Sequence, residues 1–368
     1  MLLTSHFLSF LFVVSSCIVM ADNHFYLVKQ KDLTMASLKD VAKLASVSLM
    51  TVSRAINNPE KLNKETYKRV KQAIEHLNYV PDLSARKIRG DNSGPRAIGV
   101  LALETAMTPF SVELLQAIEK TAQDHGWNTF IVNLFDDKDP DHAINTLLSY
   151  RPNGIIYTTM GLRKVELPEK LLDKNVVLAN CISDSKQLAC YIPNDYFGQY
   201  QAMQQVIKKG YKKPLCIYLS ETTLAGKTRR KAVEQAWLDA GYNLNKITSY
   251  HTSTLSDDLS QEYMMTVDIL KQHCNKKPDF DVLICGNDRI AFVAYQYLLG
   301  QGLHIPSDVA VLGYDNMVGT GELFYPPLTT VQLPHYEIGE QAALHIINNK
   351  NQKQIIQVAS PYLERNSL

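Results

Sequence analysis

The sequence predicts an α/β protein in which a small all-α head precedes a two-subdomain body built on parallel sheets. Three observations predict it. Residues 37–78 carry three short helical patterns with one shared apolar face. Residues 90–96, "GDNSGPR", interrupt the periodicity with Gly, Pro and polar residues, as a linker does. From Ala97 onward short apolar runs alternate with amphipathic stretches, the order of parallel sheets covered by helices. About 270 residues of that alternation exceed one ordinary core and suit two sheets.

The elements follow in order. The opening "MLLTSHFLSFLFVVSSCIVMADN" has an apolar stretch of signal-peptide length and "VMA" before Asp22, but no Lys or Arg precedes Lys29, so the basic start of an export signal is missing. Residues 1–34 therefore read as an upstream extension or signal-like leader, with Met35 as an alternative start directly on a helix signal. Ser37 reads as an N-cap with Asp40 three residues on, ahead of Val41, Ala42 and Ala45. Ser48 opens a second helix that buries Val52, Ala55 and Ile56. A third runs from Asn63 through Val70, Ile74 and Leu77 until Pro81 stops it, and Asp82 or Ser84 caps one more short turn. The expected boundaries are 35–80 for the head, 81–96 for a short helix and linker, and 97–368 for the body. There "AIGVLAL", "NTFIVNLF", "NGIIYTT", "VVLANC", "PLCIYL", "DVLICGN" and "DVAVLGYDN" read as strands.

Charge separates the two parts. The net charge is +1, yet residues 36–91 hold eleven Lys/Arg against six Asp/Glu, so the head is about +5 and the remainder about −4. A basic head on a mildly acidic body points to a polyanionic partner for the head. After the first twenty residues no apolar run is long enough to span a bilayer, so no membrane partner is expected. Cys181, Cys190, Cys216, Cys274 and Cys285 are scattered without a CxxC pair and read as free thiols in a reducing compartment.

In "SVSLMTVSRAINN" the buried face of the second helix leaves Leu49, Met50, Ser53, Arg54 and Asn57 on the other side. Such groups suit base edges in a major groove: Arg for guanine, Asn for adenine, apolar atoms for a thymine methyl. Ser48, Thr51 and the first helical amides suit phosphates. An ordinary amphipathic helix of a small bundle fits these residues equally well. In the body, Asn287, Asp288 and Asp315 follow strands, where side chains of open parallel sheets face a cleft. With Arg229 as a fork of donors they suit sugar hydroxyls, and Phe110 and Tyr157 suit stacking on a sugar face; turn capping is the plainer use of Asn287 and Asp315. "AGKTRR" lacks the P-loop glycine, since Glu221 stands in its place, and no HExxH, GxSxG or GxGxxG occurs in a suitable setting. No catalytic residue, metal ligand or cofactor is expected.

Resemblance decides between these readings. The stretch "SLKDVAKLASVSLMTVSRAINNPEKLNKETYKRVKQAIEHLNYVPDLSARKIRG" resembles the helix-turn-helix headpiece of the lac repressor (LacI/GalR) family, departing from it at Ser46, where glycine is frequent in the turn. "TPFSVELLQAIEKTA", "RPNGIIYTT", "FDVLICGNDRIAFVAY", "DVAVLGYDN" and "PPLTTVQLP" are similar to the family's periplasmic-binding-protein-like effector domain. The resemblance implies a homodimer on double-stranded DNA with a palindromic operator, and a small sugar that weakens its grip. It places Leu49, Met50 and Arg54 on bases, and Ala85 and Ile88 in a hinge helix, with Ile88 as a minor-groove wedge. Within the family, "NYVPDLSARK", "GIIYTTMGLRK" and "VLICGNDR" resemble members that regulate sucrose use, which implies sucrose or its fructose part as effector and a cytoplasmic location. The chain's last residues, "YLERNSL", carry no apolar heptads, so tetramers are not expected. An exported sugar-binding protein and a sugar kinase are the rival readings; neither gives a use to a basic three-helix head.

Overall fold

The chain divides into two units, residues 1–91 and 92–368. The computed structural model describes residues 18–21, 24–27, 36–80, 96–104, 109–135, 140–184, 187–252, 259–275, 277–317 and 319–368. Near the N-terminus, β1 (Ile18–Ala21) and β2 (His24–Leu27) pair antiparallel.

Side-chain caps fix the helices of the head. Ser37 and Asp40 close a reciprocal capping box on α1 (Leu38–Leu44), with Ser37 N–H donating to Asp40 Oδ2 at 2.8 Å. Ser48 Oγ accepts from Thr51 N–H at 3.1 Å to start α2 (Leu49–Asn57), and Asn63 Oδ1 accepts from Thr66 N–H at 2.8 Å to start α3 (Lys64–Leu77). Val41, Ala42, Ala45, Val52, Ala55, Val70 and Ala73 form the small core. Ile56, expected inside, is only partly buried, as are Ile74 and Leu77, because so small a bundle has one fully enclosed layer.

Ser46 adopts φ +52° in the turn between α1 and α2. A side chain in that left-handed conformation costs about 1 kcal/mol relative to glycine. Ser46→Gly is therefore expected to stabilise the head by about 1 kcal/mol, read as a higher unfolding midpoint in urea; a lower midpoint would show that the serine is the better turn residue.

The body has two lobes. In the first, β3 (Ala97–Leu103), β4 (Asn128–Leu134), β5 (Gly154–Lys164), β6 (Val176–Ile182), β7 (Ala189–Pro193) and β13 (Ile355–Val358) form a parallel sheet in the order β13-β7-β6-β5-β3-β4. One face packs on α4 (Pro109–Asp124) and α10 (His335–Ile347), the other on α5 (Asp141–Ser149). The second lobe orders β8 (Pro214–Tyr218), β9 (Thr248–His251), β10 (Val282–Cys285) and β11 (Ala310–Leu312) as β11-β10-β8-β9, again parallel. Here α6 (Asp195–Lys208) and α7 (Leu224–Asp239) cover one face, α8 (Leu259–His273) and α9 (Asp288–Gly300) the other.

Nearly continuous apolar strands such as "AIGVLAL" follow from burial on both faces. The chain passes between lobes after β7, after the short β12 (Thr330–Val331), and between β13 and β14 (Tyr362–Leu363), with β12 and β14 pairing antiparallel. These passages put the C-terminal ends of both sheets on one cleft. Cys181, Cys190, Cys216 and Cys285 are buried and Cys274 half-buried, all as free thiols. No helix among the described residues is long and apolar enough to cross a membrane.

Candidate functional site

The exposed face of the head belongs to α2. Leu49 and Met50, side by side at its start, are 49% and 69% exposed. Arg54 and Asn57 are exposed on the same helix, while Ser53 is half-buried and accepts from Asn57 Nδ2 at 3.3 Å. Ser48 and Thr51 are joined at 2.9 Å across the helix start, where unpaired amides favour an anion. The side chains at Ala85 and Ile88 lie outside the described residues.

In the body a cavity of about 860 Å³ lies between the lobes. Its walls come from strand ends: Thr158 and Thr159 of β5, Asn180 of β6, Leu219 after β8, Asn287 after β10 and Asp315 after β11. Asp195 and His335 join them from the passages between lobes. Asp315 has φ +117° and Asn180 φ +59°, so two cavity residues hold conformations that cost non-glycine side chains energy. Asp315 is held there by its N–H to Val331 O at 2.8 Å and by Leu333 N–H to its own carbonyl at 3.1 Å.

Arg229, 4% exposed, organises the floor. Its Nη1 donates to Gly286 O at 2.7 Å and to Asp315 Oδ1 at 3.4 Å, its Nε donates to Asp195 Oδ1 at 3.2 Å, and its guanidinium lies 3.6 Å from the Tyr314 ring centroid. Tyr314 OH donates to the same Asp195 oxygen at 2.8 Å. Burial works against the Arg229 charge, but Asp195, Tyr314 and Asp315 more than offset it and hold its pKa above the ordinary value. The second Asp195 oxygen, Oδ2, and Thr158 Oγ1 are buried without a hydrogen-bond partner among the described residues. Buried polar atoms of that kind are costly to leave unpaired.

The structure brings Arg229, Asn287 and Asp315 together on the cavity wall, Asn287 also capping α9 through Oδ1 to Ile290 N–H at 2.9 Å. Two expectations need correction. Tyr157 is not on the wall: it is 3% exposed in the core behind the sheet, and the next residues of β5, Thr158 and Thr159, take the cavity positions. Asp288 is not there either. It is fully buried and accepts from Met317 N–H at 2.9 Å and Thr330 Oγ1 at 2.8 Å, so it anchors the loop that carries Asp315. Phe110 lies in α4 with its side chain outside the described residues. Asp195 and His335 escaped the sequence reading because both sit in passages between lobes, and only the N-cap Asn194 of "NDYF" marks one of them.

Burial pushes the Asp315 carboxyl up to about 8, against Arg229 and reinforced by Asp288 and Asp195. A buried carboxyl with a raised folded pKa stabilises the fold fully below about pH 4; that contribution declines as pH climbs and is gone above the folded value. Stability of the ligand-free body is therefore expected to fall by roughly 1–3 kcal/mol between pH 6 and pH 8, and Asp315→Asn to remove most of that slope. Denaturant titrations at the two pH values check this; parallel slopes for both proteins would contradict it.

A two-lobed cleft rich in hydroxyl partners, carried on the same chain as a basic three-helix head with an exposed recognition-type helix, defines a ligand-controlled DNA-binding regulator. Residues 96–366 match the model for periplasmic binding proteins and the sugar-binding domain of the LacI family, and residues 37–82 match that for bacterial regulatory proteins of the lacI family. The chain belongs to the LacI family. It is 53% identical over 332 residues to the sucrose operon repressor of Escherichia coli, covering 90% of this chain and 99% of that one. Its fold matches the lac repressor dimer bound to operator and an anti-inducer, with TM-score 0.74 at 19% identity, covering 91% of this chain and 99% of that one. A LacI-family regulator from Weissella paramesenteroides with bound sucrose matches at TM-score 0.61 and 21% identity, over 74% of this chain and 98% of that one. The protein is thus a sugar-responsive DNA-binding repressor and not an enzyme or an exported binding protein.

Proposed function

We propose that this repressor holds a palindromic operator as a homodimer in the cytoplasm and lets go when sucrose, or its fructose part, closes the cleft. The observation that carries the sugar reading is the Arg229–Asp195–Asp315 cluster on the wall of the cavity between the lobes. The choice of sucrose is supported by the 53% identity to a sucrose operon repressor. In the head, Leu49, Met50, Ser53, Arg54 and Asn57 read bases while Ser48 and Thr51 hold phosphates. Residues 35–80 form the headpiece, 81–96 the hinge with Ala85 and Ile88 in the minor groove, and 97–368 the effector and dimerisation domain. Exposed Leu323, Tyr325 and Phe292 supply apolar surface of the kind a second copy covers.

Ligand that binds the closed cleft better than the open one shifts the body and lowers operator affinity, through a coupling free energy on the order of 1–3 kcal/mol or more. A thermal-shift screen with sucrose, fructose, glucose, maltose and lactose tests the effector. Sucrose or fructose is expected to raise the midpoint of the body at millimolar concentration and the other three to leave it in place. A shift with maltose or lactose alone would overturn the assignment.

A further inference from the structure

We infer that the end of the first lobe opposite the cavity is a second contact surface for DNA, through which the body itself touches the phosphate backbone. The six strands of that lobe are parallel, so all of them begin at one end and finish at the other, where the cavity lies. Exposed cations stand just ahead of four strand starts: Lys353 before β13, Lys174 before β6, Arg151 before β5 and Arg96 before β3. Lys350, past the end of α10, joins them. Against these five stand the carboxylates of Asp124 and Asp173, on a chain whose residues outside 36–91 sum to about −4. Positive charge is thus gathered at this end of an otherwise acidic body.

The row has the dimensions of a nucleic-acid backbone. In the order β13-β7-β6-β5-β3-β4 the cations precede the first, third, fourth and fifth strands, so at about 4.8 Å per strand the row is roughly 19 Å long. Phosphates of one DNA strand recur about every 3.4 Å along the helix axis, so a row of that length can meet several. Chain connectivity brings the row to DNA. Arg96 ends the linker and is fixed on the sheet: its carbonyl accepts from Asn128 N–H at 2.8 Å, and the next residue, Ala97, exchanges hydrogen bonds with Asn153 at 2.8 and 2.9 Å. The chain from Val80, the last described residue of the head, to Arg96 reaches at most about 55 Å, so a head on DNA keeps this end of the body in the neighbourhood of the duplex. Among the described residues Lys350 and Lys353 have no ion-pair partner, and Lys174 has only its exposed neighbour Asp173, at 2.9 Å. Lysines held so loosely are available to phosphates, and each phosphate they neutralise releases a counterion.

Operator binding by the full-length protein, measured by anisotropy over a series of salt concentrations, tests this in wild type and two double variants, Lys350→Gln with Lys353→Gln and Arg151→Gln with Lys174→Gln. Each double variant is expected to lower the slope of log affinity against log salt by about 1 to 2, and to weaken binding about threefold to tenfold near about 0.1 M salt, equally on the operator and on its single-base variants. Lys212→Gln with Lys213→Gln is the control. It removes the same charge from exposed positions just before β8, in the second lobe, and is expected to leave the slope as in wild type. All of these side chains are exposed, so the unfolding midpoint should not move. A lower slope in one first-lobe variant alone places the contact on that side of the sheet. Unchanged slopes in both would overturn the proposal, and so would an equal fall in the control, which would make the effect one of overall charge.

Discussion

Arg229→Ala is expected to yield a repressor that stays on its operator at sucrose concentrations that release wild type. The guanidinium joins Asp195, Asp315, Gly286 O and the Tyr314 ring, and its loss leaves the Asp195 carboxylate, the Asp315 carboxyl and a carbonyl in a buried site without their donor. Breaking a buried ion pair by removing one member costs about 3–5 kcal/mol, and protonation of Asp315 relieves part of that. Sugar hydroxyls that used the cluster lose their partners at about 1–3 kcal/mol each, so effector affinity falls tenfold or more. Operator affinity without sugar barely changes, because Arg229 lies outside the headpiece. Arg229→Lys separates folding from recognition: it keeps the charge but not the planar fork, so it is expected to fold better than the alanine variant and still ignore sucrose. Anisotropy of a labelled operator, with thermal unfolding alongside, reads both effects. Release at wild-type sucrose concentration by the lysine variant would remove Arg229 from the effector site.

The second large effect lies in the head. Arg54→Ala is expected to cost about 1–3 kcal/mol at one operator position and to relax base preference there, since a guanidinium on a guanine edge makes a paired contact that alanine cannot. Lys64→Ala, at the exposed start of α3, should instead weaken all sequences modestly and lower the salt dependence of binding. The contrast is the check. Binding measured to an operator and to its single-base variants should separate the two; equal losses on every site with Arg54→Ala would mean that α2 does not read bases.

How much of this was legible beforehand depended on where each residue sits relative to a strand. Asn287 and Asp315 could be picked out because an amide or a carboxylate just beyond an apolar run faces the open end of a parallel sheet, and Arg229, inside α7, because its fork of donors suits the same hydroxyls. Tyr157 was misplaced for the complementary reason. Its strand is buried on both faces, so no alternation tells which side meets the cleft, and Thr158 one position on has the opposite answer. Asp288 follows the N-cap Asn287 by one residue, and that single step turns its carboxylate from the cavity to the Met317 and Thr330 loops. Asp195 and His335 were beyond reach, since their value comes from passages that bring residues over a hundred positions apart onto one floor. In the head, capping residues and apolar spacing were enough for all three helices, because those interactions are local.

The central claim is that sugar in the cleft releases DNA from the head. Operator anisotropy across a sucrose titration, for wild type and Asp315→Asn side by side, tests it most directly. The account predicts that wild type dissociates as sucrose rises and that Asp315→Asn, with equal operator affinity in its absence, stays bound at concentrations at least about tenfold higher. Retention of the operator by wild type at saturating sucrose and fructose alike, or release of both proteins at the same concentration, would contradict it.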